Sequence, residues 1–544
     1  MKKLLFFCLG IFLTLALFAQ AKPKLVVGIV VDQMRWDYLY RYQDRYTDGG
    51  FKRLLRQGFS CENTLIPYTP TYTAAGHACI YTGSIPAING IVGNAWYDPQ
   101  QKKIVYCTED ASVKSVGTTS EAGLMSPRSL WSNTMGDELR LATNMRSKTI
   151  AIALKDRGAI LPGGHMANAA YWFDNATGGW VSSTYYMNDL PAWVKQFNAK
   201  KVPDQLMAQN WNTLYPLNTY RQSAADSNSY EGKLPGGSFV FPHQTATITR
   251  GKYDAFRTSP FGSTYTMLMA KEAVRAEHLG QGNETDFLAV SFSSTDYIGH
   301  TFGPNSVEAE DAYLRLDKDL SELLTYLDQQ VGKGQYLLFL TADHGAAHSP
   351  GFLMDRKGAA GVYPQSDVDK AVRVALQEKF GAPGIIEYFY NSQFYFNDSV
   401  IAANKLDRNA VKQFTRQYLM KQPAVAMVAD LENINGDMMP EKVRMMLNNG
   451  FNQKLSGVLQ LVLKPGYLPN WRTGTSHGAW NPYDSHIPLV WFGWNIKPGK
   501  TNREVYMYDI APTVTALLQI EMPNGAVGRP VDEVVNPESH SGAN

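Results

Sequence analysis

The chain has 544 residues, 44% of them hydrophobic, and its 51 basic side chains nearly balance 49 acidic ones. A single large α/β domain carrying insertions fits that length. The balanced charge excludes a basic nucleic-acid binder and an acidic disordered tail, so no nucleic-acid partner is expected.

Residues 1–21 read as a cleavable secretory leader: Lys2 and Lys3, an apolar run from Leu4 to Phe18, then Ala19, Gln20 and Ala21 as a small-x-small cleavage site. The run is shorter than the roughly 20 residues that span a bilayer, so no membrane anchor is expected. Cys8 follows Phe7, where a lipoprotein leader would place a small residue. These features predict a soluble periplasmic or secreted protein starting at Lys22, near zero net charge once Lys2 and Lys3 are removed; a monomer is expected. Three cysteines then remain, Cys61, Cys79 and Cys107. A Cys61–Cys107 bridge and three buried thiols are both compatible with an oxidising compartment.

Along the chain, LVVGIVVD (25–32), FLAVSFSSTD (287–296) and YLLFLTAD (336–343) are short apolar runs that each end in an aspartate. Such runs read as strands buried on both faces of a mostly parallel sheet. Ligands of open α/β sheets bind beyond the carboxyl ends of the strands, where Asp32, Asp296 and Asp343 fall. The segment 306–331 has leucines at helical spacing and an acidic first turn, which predicts a helix covering the sheet. A further strand is expected over 487–493 and a closing helix over 509–518, with Pro512 near its start. The expected architecture is a three-layer α/β/α sandwich over 22–544. Two stretches, about 166–245 and about 350–470, break the rhythm and read as insertions that cap the site.

Six metal-ligand-type residues recur in four clusters: Asp32; Asp296 and His300 in STDYIGH; Asp343 and His344 in TADHG; and His477 in GTSHG. Asp296 and His300 are four residues apart, so both converge on one ion if the strand end turns into a helical turn. Imidazole nitrogen and carboxylate oxygen suit zinc, and two neighbouring zinc ions can clamp the attacking and leaving oxygens of a phosphoryl group. Each cluster alone also fits a cap, a surface pair or a loop histidine; together they indicate a metalloenzyme. Thr73 opens TYTAAGHACIYTG (71–83), whose small residues let a helix N-terminus approach an anion closely. Metal coordination is one way to turn a threonine hydroxyl into a nucleophile.

The order Asp32, Thr73 in TAAGH, Asp296 and His300 in DYIGH, Asp343 and His344 in ADHG, and His477 in SHG resembles the alkaline phosphatase superfamily over residues 25 to 520. Asn94 in GNAWY and KDRGAILPGGH (155–165) resemble the PafA-type, phosphate-irrepressible alkaline phosphatases. By that resemblance Asp296, His300 and His477 hold one Zn2+, while Asp32, Asp343, His344 and the nucleophile Thr73 surround a second. Asn94, Lys155 and Arg157 then bind the non-bridging phosphoryl oxygens. The implied activity is hydrolysis of small-molecule phosphate monoesters through a phosphothreonine. No separate acidic set for a magnesium ion is found, so two zinc ions are expected.

A monoester dianion rewards extra cations near its terminal oxygens, and Lys155 and Arg157 supply two. A nucleotide pyrophosphatase/phosphodiesterase-like diesterase is the alternative; it shares the threonine and asparagine but lacks such a pair. Sulfatases need a Cys or Ser in a C/S-x-P-x-R context, against Thr73-Ala74-Ala75-Gly76-His77 here. A non-catalytic phosphate-binding protein is the reading from a different class, and the intact ligand set argues against it. His165 is expected to support the site from behind or to be structural, and His348 and His486 receive no assignment.

Overall fold

The computed structural model describes residues 22–469 and 473–536. The leader expected over residues 1–21 lies outside the described residues.

Eight of the eleven main-sheet strands, in chain order, are β1 (Leu25–Val31), β2 (Phe59–Leu65), β3 (Thr149–Ala153), β4 (Ala169–Asp174), β5 (Gly179–Ser183), β6 (Asp286–Phe292), β7 (Tyr336–Thr341) and β8 (Leu489–Gly493). In space the order is β2-β8-β7-β1-β6-β3-β4-β5. The five central strands, β7 to β4, are parallel, and the antiparallel pairings of β8 with β7 and of β5 with β4 lie toward the edges. Every residue of β1, β6 and β7 is buried, which accounts for their unbroken apolar sequences: a parallel strand with helices on both faces has no solvent side.

Helices α1 (Thr73–Thr82), α2 (Asp156–Gly163) and α6 (Ile510–Leu518) form one packed group, in which α1 touches both α2 and α6. Helices α3 (Phe261–Ala276), α4 (Ser294–Phe302) and α5 (Val307–Leu327) form another. The long helix expected over 306–331 is α5, started by Ser306, whose hydroxyl accepts from the Ala309 amide, and continued by a wider turn over Asp328–Gly332. The closing helix is α6, one residue shorter at its start than its sequence pattern implies.

Between β7 and β8 the chain builds a second, four-stranded sheet from Ile386–Tyr390, Gln393–Phe396, Leu459–Leu463 and Val425–Asp430, with its own apolar core around Val372, Phe394, Val411 and Leu459. The aromatic-rich stretch from 166 instead begins with β4 and β5, which belong to the main sheet. Cys61, Cys79 and Cys107 are buried free thiols, so the Cys61–Cys107 bridge is not formed. Burial in apolar surroundings pushes the Cys61 thiol up to about 12.

Candidate active site

The site forms beyond the carboxyl ends of the parallel strands, as the sequence implies. Asp32 follows β1 directly, and Asp343 and His344 lie two and three residues past β7. Asp296 does not end its strand. The chain turns after Phe292, and Asp296 occupies the first turn of α4 with His300 one turn further on. The two therefore share one helix face, and His300 Nε2 lies 3.2 Å from Asp296 Oδ1. His477 comes from the loop after the second sheet, and its Nε2 is 3.7 Å from the same oxygen.

Ligand-type atoms of Asp296, His300 and His477 lie within 4.8 Å of one another, as do those of Asp32, Asp296 and His344. The first group is the trio inferred from the sequence. In the second, Asp296 stands with Asp32 and His344, while Asp343 Oδ2 approaches His344 Nε2 at 3.4 Å. Asp296 thus lies between the two groups. Each histidine is oriented by its other ring nitrogen against a main-chain oxygen: His300 Nδ1 on Thr475, His477 Nδ1 on Thr71 and His344 Nδ1 on Gly345, at 2.9, 2.7 and 2.9 Å. That arrangement turns Nε2 of all three toward the acidic cluster and fixes the tautomer a metal ligand needs. The His344 and His477 rings stack at 3.5 Å.

The electrostatics fit bound cations. Burial pushes His344 down to about 3 and, together with the neighbouring His344 and His300, lowers His477, so both rings are neutral donors at working pH. Asp343 is raised by burial and by Asp32 beside it, and Asp32 is raised by burial against the pull of Lys155. Burial also opposes ionisation of Asp296, but His300 and Lys155 outweigh it and hold that carboxyl well below the usual range. Asp32 Oδ1 and Asp343 Oδ2 are buried with no hydrogen-bond partner. Isolated buried carboxylate oxygens are costly, and divalent ions at these nitrogen and oxygen donors would remove that cost. The donor set therefore fits zinc.

Thr73 is the first residue of α1, 1% exposed, with Oγ1 3.2 Å from His344 Nε2. Gly76 allows this helix to lie against β7's exit, because a Cβ there would collide with the Asp343 main chain. Asn94 Oδ1 accepts from the Ala74 amide at 2.9 Å, which leaves its NH2 group for another partner. Lys155 caps α2, and its ammonium is 2.7 Å from Asp32 Oδ2 and 2.5 Å from Asp296 Oδ2. Arg157, in the first turn of α2, donates to Tyr106 Oη at 3.0 Å. Tyr106 in turn donates to Asp156, which also accepts from Thr108.

Several contributors carry no motif. Gln33, at a positive φ of 64°, donates from its side chain to Asp296 and from its main chain to Asp343. Gly299 leaves room for that side chain. His77 joins the Thr73 carbonyl to Ser291. Three further histidines noted in the sequence make structural contacts: His165 engages Asp137 and Tyr185 through its main chain, His348 Nδ1 is 2.6 Å from Asn305 Oδ1, and His486 stacks on Trp36.

The profile of the type I phosphodiesterase / nucleotide pyrophosphatase family matches residues 26–469. Alkaline phosphatase PhoV of Synechococcus elongatus is 52% identical over 95% of this chain and 93% of its own. Alkaline phosphatase PafA of Elizabethkingia meningoseptica is 50% identical over 95% of both. A Myroides odoratus protein named calcium-transporting ATPase is 50% identical over 97% of both. Among the described residues no helix is long and apolar enough to cross a membrane. The crystal structure of PafA matches with a TM-score of 0.93 at 50% identity, covering 95% of this chain and 100% of that one. Murine ectonucleotide pyrophosphatase / phosphodiesterase 5, at 13% identity and a TM-score of 0.51, shares the fold.

Proposed function

The chain belongs to the type I phosphodiesterase / nucleotide pyrophosphatase family, and we propose that it works there as an alkaline phosphatase, a metal-dependent phosphomonoesterase. The relatives at 50–52% identity that are named alkaline phosphatases support the activity. The observation that carries the monoester preference is the placement of Lys155 and Arg157 on α2. A monoester presents a dianionic terminus to them, whereas a diester carries an organic group there.

Two zinc ions, one with Asp296, His300 and His477 and the other with Asp32, Asp343, His344 and Thr73, would acidify bound hydroxyl groups and neutralise charge that develops on the oxygens. The chain's own groups do the rest. Thr73 Oγ1, fixed at the start of α1, attacks phosphorus in line, and the leaving oxygen departs on the side of Asp296, His300 and His477. The Asn94 amide, the Lys155 ammonium and the planar fork of Arg157 hold the non-bridging oxygens as charge spreads over them. A phosphothreonine forms at Thr73, and a second in-line displacement by water on the leaving-group side returns the hydroxyl and releases phosphate. Positioning and charge stabilisation supply most of the rate.

The leader composition of residues 1–21 supports export, with the working chain beginning at Lys22; a monomer is proposed. Mass analysis of the exported chain and light scattering check both points.

A diesterase is the second reading, favoured by the description of the matching family. Steady-state kcat/KM for an aryl phosphate monoester against its matched methyl aryl diester, on zinc-reconstituted protein, separates the two. A strong monoester preference is expected, and a diester preference would move the chain to the diesterase branch.

A further inference from the structure

Beside His477 lies a cavity of about 60 Å³ whose other walls include Tyr72, Asn391, Gln460, Tyr467 and Trp480. Tyr72 is the residue before Thr73, and its ring meets His477 edge-on with centroids 5.8 Å apart. The second sheet supplies the rest: Asn391 sits in the tight turn between Ile386–Tyr390 and Gln393–Phe396, and Gln460 in Leu459–Leu463. The cavity therefore has His477, one of the three residues proposed above for the leaving-group side, on one wall and the second sheet on another.

Size and chemistry narrow the occupant. One water needs roughly 10–15 Å³ of such space, so the cavity has room for about four or five water-sized groups and receives only the nearest part of a leaving group. Tyr72, Tyr467 and Trp480 give flat apolar walls, against which the C–H faces of a ring pack. The polar atoms on offer are mixed. Trp480 Nε1 is a buried donor with no partner. Gln460 commits its NH2 to the Leu461 and Asn391 main-chain oxygens at 3.1 and 3.4 Å, which leaves its carbonyl oxygen as an acceptor, while Asn391 gives one N–H to the Ala95 main-chain oxygen at 2.8 Å and keeps a second. A hydroxyl group donates and accepts at once, so it satisfies both kinds of atom.

We propose that this cavity is the leaving-group subsite and takes a single hydroxylated ring, which makes sugar phosphates the favoured monoesters. The inference rests on the phosphatase reading above and names the substrate class of that same site.

The test compares kcat/KM for a hexose 6-phosphate, glycerol 1-phosphate and a nucleoside 5′-monophosphate, whose leaving groups are all primary alkoxides of similar basicity. The parent enzyme should favour the hexose phosphate roughly tenfold over both others. Trp480→Ala and Gln460→Ala should each bring the hexose phosphate down toward the glycerol phosphate value and leave the latter within about twofold. Calorimetric titration with a non-hydrolysable hexose phosphonate and with methylphosphonate gives a readout independent of turnover: the difference in Kd should shrink in both variants. Equal kcat/KM for all three esters, a nucleotide preference, or equal losses on every substrate in the variants would overturn the subsite while the phosphatase reading stands. No turnover of any monoester by the zinc-loaded parent would overturn both.

Discussion

Lys155 Nζ lies 2.5 Å from Asp296 Oδ2, so the ammonium proposed to bind phosphate is braced by a carboxylate proposed to bind metal. Asp32 braces it from the other side at 2.7 Å. The cation at the site is therefore held by the same acids that are proposed to hold the ions, and its two roles separate by experiment. Lys155→Ala should lower monoester kcat/KM by on the order of 10²-fold and leave diester kcat/KM nearly unchanged. Stripped of metal, the variant should also lose stability, because removing one partner of a buried ion pair costs about 3–5 kcal/mol. With zinc bound the loss should be far smaller, since the ions compensate the carboxylates. Thermal melts of both proteins with and without zinc check this; equal losses in the two states would contradict it.

Thr73 Oγ1 is 3.2 Å from His344 Nε2 at the start of a helix whose first turn is aimed at the site. Replacing it with Ala should reduce kcat by roughly 10⁴-fold or more, whereas Thr73→Ser keeps a hydroxyl and most of the rate. Acid-quenched turnover followed by peptide mass analysis should find phosphate on the peptide that begins at Tyr72 or earlier and contains Thr73. Retention of full activity by the Ala variant would eliminate the covalent route.

Arg157 is steadied from behind, since Tyr106 Oη accepts from it at 3.0 Å and donates to Asp156 at 2.8 Å. Tyr106→Phe removes both bonds while keeping the ring, so the guanidinium loses its restraint but not its charge. Monoester kcat/KM should fall roughly tenfold, with KM taking more of the change than for Lys155→Ala, and the diester rate should hold. A loss shared equally by both substrates would mean that Tyr106 acts on the fold and not on Arg157.

Zinc removal bears on the orphaned carboxylate oxygens of Asp32 and Asp343. Chelation should abolish monoester hydrolysis, and added zinc should restore it with two ions per chain by elemental analysis. His477→Ala should cut that stoichiometry toward one, because it removes a ligand of only one group. A chelated protein that keeps its activity would exclude metal-assisted catalysis.

The outline of this site was readable because its parts obey local rules. Buried parallel strands are written as apolar runs, and their carboxyl ends mark where Asp32 and Asp343 belong. The four-residue interval of Asp296 and His300 needs only one helical turn. What the sequence hides is contact between distant segments. Gln33 reaches Asp296 through a left-handed backbone conformation that its neighbours do not signal, and Tyr106 reaches Arg157 across fifty-one positions. Likewise β4 and β5 look like part of an aromatic insertion, because Tyr171, Trp172, Phe173 and Trp180 fill buried positions with rings where β1 and β7 carry mostly aliphatic side chains. The cap's turn at Asn391, which lines the cavity beside His477, lies nearly ninety residues from that histidine in the chain.

Alkaline working conditions expose one further consequence of burial, well away from the metals. Asp319 on α5 is 8% exposed and accepts from Thr264 Oγ1 on α3 at 3.0 Å. Burial pushes its carboxyl up to about 7, with Glu322 adding to the shift and Arg315 opposing it. Between its ordinary value near 3.8 and about 7 the folded chain holds a proton that the unfolded chain has lost, so stability falls as pH rises through this window and is level above it. Three units correspond to on the order of 4 kcal/mol at most. Asp319→Asn keeps an acceptor for Thr264 and removes the titration. On metal-free protein, the melting temperature of the variant minus that of the parent should be near zero or negative at pH 4, rise up to pH 7, and stay constant and positive beyond. A difference that is flat from pH 4 to 8 would show that Asp319 ionises freely in the folded chain, and that the α3–α5 interface admits enough water to solvate it.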